Sequence, residues 1–351
     1  MPKIDRSRDN LLTPFGLHTL QDRYLLAGEE PQDLFARVSS AYGSDENHAQ
    51  RMYDYISKLW FMPATPVLSN GGTDRGLPIS CFLNSVADSM LGISGKWNEN
   101  TWLGSGGGGI GTCWSQVRSV GEPVAGRGGS SGIIPFIKVM DSQTLAVSQG
   151  SLRRGAGAAY LDIGHPEAEE FIEMRKPSGD YNRKALNLHH GLVISDAFMA
   201  AVEQDTDWQF TDPHSGRLCG SVKARELWER ILETRMQTGE PYLLFSDNVA
   251  RALPEVYTRN YLKVQQSNLC SEIMLHTGED WMGHDRTAVC CLGSVNLAHF
   301  DEWSEHPEFI ADCLEFLDNV LQDFIDKTEG RVGFEAARYA AERERAVALG
   351  S

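Results

Sequence analysis

Apolar residues recur along the first sixty positions at the spacing of a helix face. Leu34, Phe35, Val38 and Tyr42 follow Pro31, while Met52, Ile56, Leu59 and Trp60 follow Tyr42-Gly43-Ser44-Asp45-Glu46, which reads as a stop and then a cap. Residues 1–60 are expected to form an N-terminal helical layer. From about 61 the pattern changes to short apolar runs broken by Gly and Pro. Leu77–Leu83, Ala159–Ile163, His190–Ile194, Tyr242–Phe245 and Thr287–Leu297 read as strands. Between them, helices are expected over Asp88–Leu103, Ile134–Val147, from Pro166, from Asp196 as cap, and from Leu227 to the stop at Gly239. Trp208–Val222, centred on Asp212-Pro213-His214-Ser215-Gly216, reads as a hairpin. The clearest helical stripe is Ile310, Cys313, Leu314, Leu317, Val320, Leu321, Phe324 and Ile325, and a last helix is expected from Phe334 to Leu349.

Strands alternating with helices argue for an α/β fold with parallel strands. The expected division is 1–60 for the helical region, 61–300 for the α/β part and 301–351 for C-terminal helices. Composition refines this little: 41% hydrophobic and 23% charged residues fit a globular chain. The net charge of −16 matters more, because it argues against a nucleic-acid polymer as partner, whereas a local arginine pair can still hold a small anion. No apolar run reaches the length of a membrane helix and no signal-peptide core follows Met1, so a cytoplasmic protein is expected. The seven cysteines, Cys81, Cys113, Cys219, Cys270, Cys290, Cys291 and Cys313, form no CxxC pair. A zinc site or disulfide framework is not expected, and no metal ligands are assigned.

Candidate chemistry concentrates at Ser267-Asn268-Leu269-Cys270-Ser271-Glu272-Ile273. An amide, a thiol and a carboxylate stand at i, i+2 and i+4, which in extended backbone share one face at about 6.6 Å intervals. Reaching one small ligand requires the segment to bend, so a curved loop or finger is expected. Cys81, Cys270 and either Cys290 or Cys291 could supply a nucleophile or radical carrier and a redox pair, since strand neighbours point to opposite faces. Gly104-Ser105-Gly106-Gly107-Gly108-Gly109-Ile110-Gly111 matches GxGxxG. It lacks a strong preceding strand and an acidic partner, so it reads as a place of close backbone approach instead of a dinucleotide site.

Five segments in this order resemble the large catalytic subunit of ribonucleotide reductases: Pro63-Ala64-Thr65-Pro66, Ile79-Ser80-Cys81, Gln149–Ala156, Ser267–Ile273, and Ala288 through Leu297. The resemblance runs from about Leu11 to the end. It implies a ten-stranded α/β barrel, here incomplete: a first half-barrel, a finger loop and the start of the second half. It also implies that Cys270 carries a thiyl radical that takes the ribose 3′ hydrogen. Glu272 is then the base for the 3′ hydroxyl, and Asn268 a hydrogen-bonding partner of the ribose. Cys81 and Cys290 become the dithiol that supplies two electrons, with Cys291 facing away. Thr65, Ser80 and Arg154 are implied substrate contacts. Asp88, Arg118 and Arg127 would hold a deoxynucleoside triphosphate effector.

By the same resemblance the substrate is a ribonucleotide, and the radical comes from a small dimetal partner subunit or, alternatively, adenosylcobalamin. A homodimer is expected. The second half-barrel has no counterpart in the sequence, so a complementing C-terminal chain is expected to be needed. The competing expectation is a non-catalytic nucleotide-binding or regulatory fragment.

Overall fold

The computed structural model describes residues 1–126, 128–149 and 153–350, the side chains of 148, 149, 153, 154 and 348 excepted. The chain divides into two compact units, Met1–Ser80 with Val289–Ser351, and Cys81–Ala288.

The first unit is mainly helical. Helix Pro31–Tyr42 carries its expected face, helix Glu46–Ser57 carries its own as far as Ile56, ending before Leu59 and Trp60, and Pro14–Arg23 buries none of its residues; Asp45 opens Glu46–Ser57 by accepting from His48 N at 2.7 Å. Phe61–Pro63 is a short strand, and the Gly- and Pro-broken stretch after it holds the helix Thr65–Asn70. The long helix Phe309–Lys327 buries Phe309, Cys313, Phe316, Leu317, Val320, Leu321 and Phe324 completely. The expected stripe had the right period but was one position out at its start: Ile310 and Leu314 are exposed, and Phe309 and Phe316 take the core. Each such aromatic contributes about 1.5–3 kcal/mol by leaving water.

Buried Asp312 pins this helix to Glu46–Ser57. Its carboxylate accepts from Arg51 Nε and Nη2 at 2.7 and 2.8 Å and from Tyr55 OH at 3.1 Å. His48 beside it accepts from Ser44 N and donates to the Asp312 carbonyl, so the His48, Asp312 and Glu315 cluster has hydrogen-bonding work without a cation. The final helix ends at Glu344, where Arg345 takes the left-handed conformation (φ 47°). Val347–Gly350 then pairs in parallel with residues 291–294, so the last residues form a strand, not the continued helix read from the sequence.

The second unit is built on five strands, β1 (Cys81–Ser85), β2 (Gly109–Cys113), β3 (Ala156–Asp162), β4 (His189–Ile194) and β5 (Tyr242–Phe245). All neighbours are parallel and lie in chain order. Each connection carries at least one helix: Met90–Ser105, Ile134–Ala146, Ala168–Ile172, then Asp196–Gln204 and Ala224–Thr238. Ser195 caps Asp196–Gln204, accepting from Phe198 N, where the sequence suggested Asp196.

Parallel order without reversal puts the helices on one face of the sheet. There Ala159, Leu161, Leu192 and Ile194 pack with Ile134, Ile137, Phe198, Leu227 and Ile231. The opposite face is left to a loop. No described helix is long and apolar enough to cross a membrane.

Candidate functional site

Strand parity sorts the two faces. Asn84 and Thr112 bond each other and Asn100 of helix Met90–Ser105, so even positions of β1 and β2 face the helices. Cys81, Leu83 and Ser85, with their register partners Gly109, Gly111 and Cys113, face the other way. Residues 265–277 run along that face. Cys113 Sγ contacts the Gln265 carbonyl at 3.7 Å, Ser267 and Asn268 pass over Gly111, and Leu269 lies on Gly109. Successive finger residues therefore descend β2 toward its N-terminal end, the end at which Cys81 pairs with Gly109. Cys270 follows Leu269 in the loop on the sheet face that Cys81 also occupies.

Glycine makes that approach possible. A Cβ on Gly111 would stand 2.0 Å from the Ser267 carbonyl oxygen, and one on Gly109 would stand 2.7 Å from Leu269 Cδ2. The glycine run is thus the bed of the finger, as close backbone approach suggested. Its return leg is fixed by Gln266 Nε2 donating to Thr277 Oγ1 at 2.7 Å and by the 2.5 Å contact of the Ser85 and Thr277 hydroxyls.

The tip is a turn, so the alternation expected of extended backbone does not hold. Ser271 has φ 69°, and its N–H donates to the Asn268 carbonyl. Asn268 is fully buried, while Cys270 and Glu272 are exposed. Asn268 Oδ1 accepts from the N–H groups of Glu272 and Ile273 at 3.1 and 3.2 Å, which closes the turn. Its Nδ2 is buried with no partner. The amide therefore shapes the tip with one end and keeps a donor for a ligand at the other. Tyr160 OH donates to the Asn268 carbonyl at 2.7 Å, and burial pushes that phenol's pKa upward. Tyr160 was not anticipated; its only signal was a large polar aromatic within an otherwise small apolar strand.

In the first unit, Thr65 is exposed and meets Tyr24 OH at 2.9 Å. Ser80 is buried with its hydroxyl unpartnered. Cys291 contacts the Leu317 carbonyl at 3.3 Å, and its thiol pKa is raised by burial and then by Asp318. Cys290, its strand neighbour, therefore has the opposite face.

A second candidate site lies at the start of helix Met90–Ser105. Ser89 is the cap, accepting from Gly92 N at 2.9 Å. Asp88 is instead bound by Arg118, whose Nε reaches both carboxylate oxygens at 3.0 Å and whose backbone N–H donates at 3.1 Å. His214 Nδ1, from the hairpin, stands 2.9 Å from the same carboxylate and had not been singled out. Asp88, Ser89, Val117, Arg118, Ser130 and Phe136 line a cavity of about 230 Å³. Arg127 lies outside the described residues, and so does the side chain of Arg154.

The model of the ribonucleotide reductase barrel domain matches residues 79–351, and that of the ribonucleotide reductase all-alpha domain matches 10–76. The chain belongs to the ribonucleotide reductase large-subunit family. A Frog virus 3 protein described as a ribonucleoside-diphosphate reductase large subunit is 45% identical over 92% of this chain and 55% of its own length. The Invertebrate iridescent virus 3 large subunit is 38% identical over 100% of this chain and 62% of its own. Among solved structures, the Actinobacillus ureae class Id ribonucleotide reductase alpha subunit superposes with a TM-score of 0.83 at 29% identity, covering 99% of this chain and 60% of that one. The chain thus spans somewhat over half the length of these relatives. The finger of the reductase barrel is the loop carrying Cys270, and its half-barrel is the five parallel strands of the second unit.

Proposed function

We propose that the chain takes part in reducing ribonucleoside diphosphates to deoxyribonucleotides. The observation that carries this reading is the finger. It brings Cys270 and Glu272, both exposed, to the strand end whose face Cys81 shares. In this reading a Cys270 thiyl takes the 3′ hydrogen atom and Glu272 takes the 3′ hydroxyl proton. Asn268 Nδ2 donates to a ribose hydroxyl, which supplies the partner it otherwise lacks. Cys81 and Cys290 give two electrons and close to a disulfide as the 2′ oxygen leaves as water. Thr65, Ser80 and Arg154 contact substrate.

The cavity at Asp88 and Arg118, with Arg127, is read as the site of a deoxynucleoside triphosphate effector. The radical is read as coming from a separate small subunit, in keeping with the class Id likeness, and the setting as the reducing cytoplasm. Because the relatives are longer, turnover is assigned to the assembly that also contains the remainder of the barrel, on whichever polypeptide it is carried, and to a dimer of it.

The test is CDP reduction by that assembly with the radical subunit. Cys270→Ser is expected to abolish product. Cys81→Ser is expected to abolish turnover under a regenerating reductant and to leave no new disulfide by mass spectrometry. Normal deoxycytidine diphosphate formation by Cys270→Ser overturns the reading.

A further inference from the structure

We propose that His189 is a further substrate-contacting residue, its Nε2 making a hydrogen bond on the finger face of the sheet with an oxygen group of the bound ribonucleotide; this rests on the function proposed above. His189 opens β4 and pairs in register with Ala158, which packs with Tyr160 against Leu269 of the finger. In-register neighbours of parallel strands share a face, so the imidazole lies on the Cys270 side.

The ring is aimed from behind. Nδ1 donates to Glu240 Oε1 at 2.5 Å, and Tyr242 OH stands 3.1 Å from the same nitrogen with its ring stacked on the imidazole at 5.6 Å. The Glu240 side chain is 6% exposed and its other oxygen accepts from His190 N, whereas the His189 side chain is 37% exposed. A carboxylate that holds one ring nitrogen fixes the ring plane and so aims the second nitrogen.

Glu240 and Tyr242, from β5 and its approach, touch the ring, and Tyr160 of β3 shares its sheet face. The Tyr242 phenol pKa is raised by burial and next by Glu240 and Cys270, which agrees with its placement near the finger tip.

The test is calorimetric binding of CDP and of cytidine to the assembly active in CDP reduction, with Cys270→Ser in every sample to block turnover. His189→Gln and His189→Phe are expected to weaken CDP binding at pH 6.5 by about tenfold or more. Deoxynucleoside triphosphate affinity should be unchanged, which reports an intact fold. An equal loss for cytidine assigns the oxygen to the ribose, and a loss confined to CDP assigns it to phosphate.

Unchanged CDP affinity in both His189 variants overturns the inference. If neither variant folds, Glu240→Gln decides: weaker CDP binding supports the contact and unchanged binding overturns it. An assembly that neither binds nor reduces ribonucleotides before any substitution overturns the parent reading, and this inference with it.

Discussion

Two neighbouring histidines show how much of this chemistry lies in strand parity. His189 is half-exposed on the finger face, and His190 is fully buried on the helix face, its ring 5.3 Å from Phe171, with both nitrogens lacking a hydrogen-bond partner. Burial first, then Arg175 and His189, push the His190 pKa down to about 3. An unfolded histidine titrates near ~6.5. The unfolded state therefore binds the proton first, and stability contributed by the neutral ring is complete above that value and lost as pH falls from there toward 3. His190→Phe keeps the ring volume and removes the proton. It should raise stability at pH 5 by about 2 kcal/mol relative to pH 8, read as a flatter urea midpoint against pH. An unaltered slope between pH 7 and 4 would contradict this.

Gly111 gives the opposite case, a residue whose importance is purely steric. Its added methyl would meet the Ser267 carbonyl at 2.0 Å, so Gly111→Ala must move the finger or the strand. A cost of about 1–3 kcal/mol and a large loss of CDP reduction are expected together. Full activity would show that the finger does not need its present seat. The spacing of Asn268, Cys270 and Glu272 was readable from the sequence, and so was the need for a bend. Their division into one buried and two exposed side chains was not, because it follows from the positive φ of Ser271, a residue type that gives no such signal.

At the level of elements, periodicity located four of the five parallel strands and the longer helices between them, because alternation and the helical stripe are set by burial, while short helices such as Thr65–Asn70 and Ser246–Ala252 carried too few turns to show one. It failed where a local bond decided the matter. The last strand was read as helix because Ala, Arg and Glu continue up to Arg345, and only the left-handed turn there ends it. The hairpin was legible from Asp212-Pro213-His214-Ser215-Gly216, but not the reason it holds its place. Asp212 is fully buried and accepts from Ser119 N and Oγ at 2.8 and 2.7 Å and from the N–H groups of His214 and Ser215 at 3.0 and 2.9 Å.

Burial alone would raise the Asp212 pKa. The Ser119 and Ser215 donors outweigh it and hold the carboxyl well below its usual range. Its contribution is therefore present above the unfolded value of ~3.9 and lost as pH falls through the lower folded one. Asp212→Asn turns an acceptor into a donor among donors. It should cost about 2–3 kcal/mol at pH 7, with the difference from the parent narrowing below pH 4 in parallel denaturation curves. The same variant should loosen His214 from Asp88 and weaken effector binding; unchanged effector affinity would separate the hairpin from that site.

For the molecule as a whole, α/β class and parallel order followed from the strand and helix alternation, while the face on which ligands approach required register. Net charge then governs how an anion arrives. A chain of −16 repels a deoxynucleoside triphosphate at distances beyond the reach of any one side chain, yet Arg118 at the Asp88 cavity attracts it at contact. These effects separate with ionic strength. The Debye length shrinks from about 20–30 Å at low salt to about 8 Å at 0.15 M, so the field of distant carboxylates is screened first and the contact pair least. Stopped-flow association of a fluorescent deoxynucleoside triphosphate should therefore quicken by a few-fold between 0.01 and 0.15 M salt, opposite to the behaviour of a basic nucleic-acid binder. Arg118→Ala should leave that quickening in place while raising the dissociation rate about tenfold or more, because the loss is at contact. Association that slows with salt would mean that a local positive field, and not the net charge of the chain, already governs the approach.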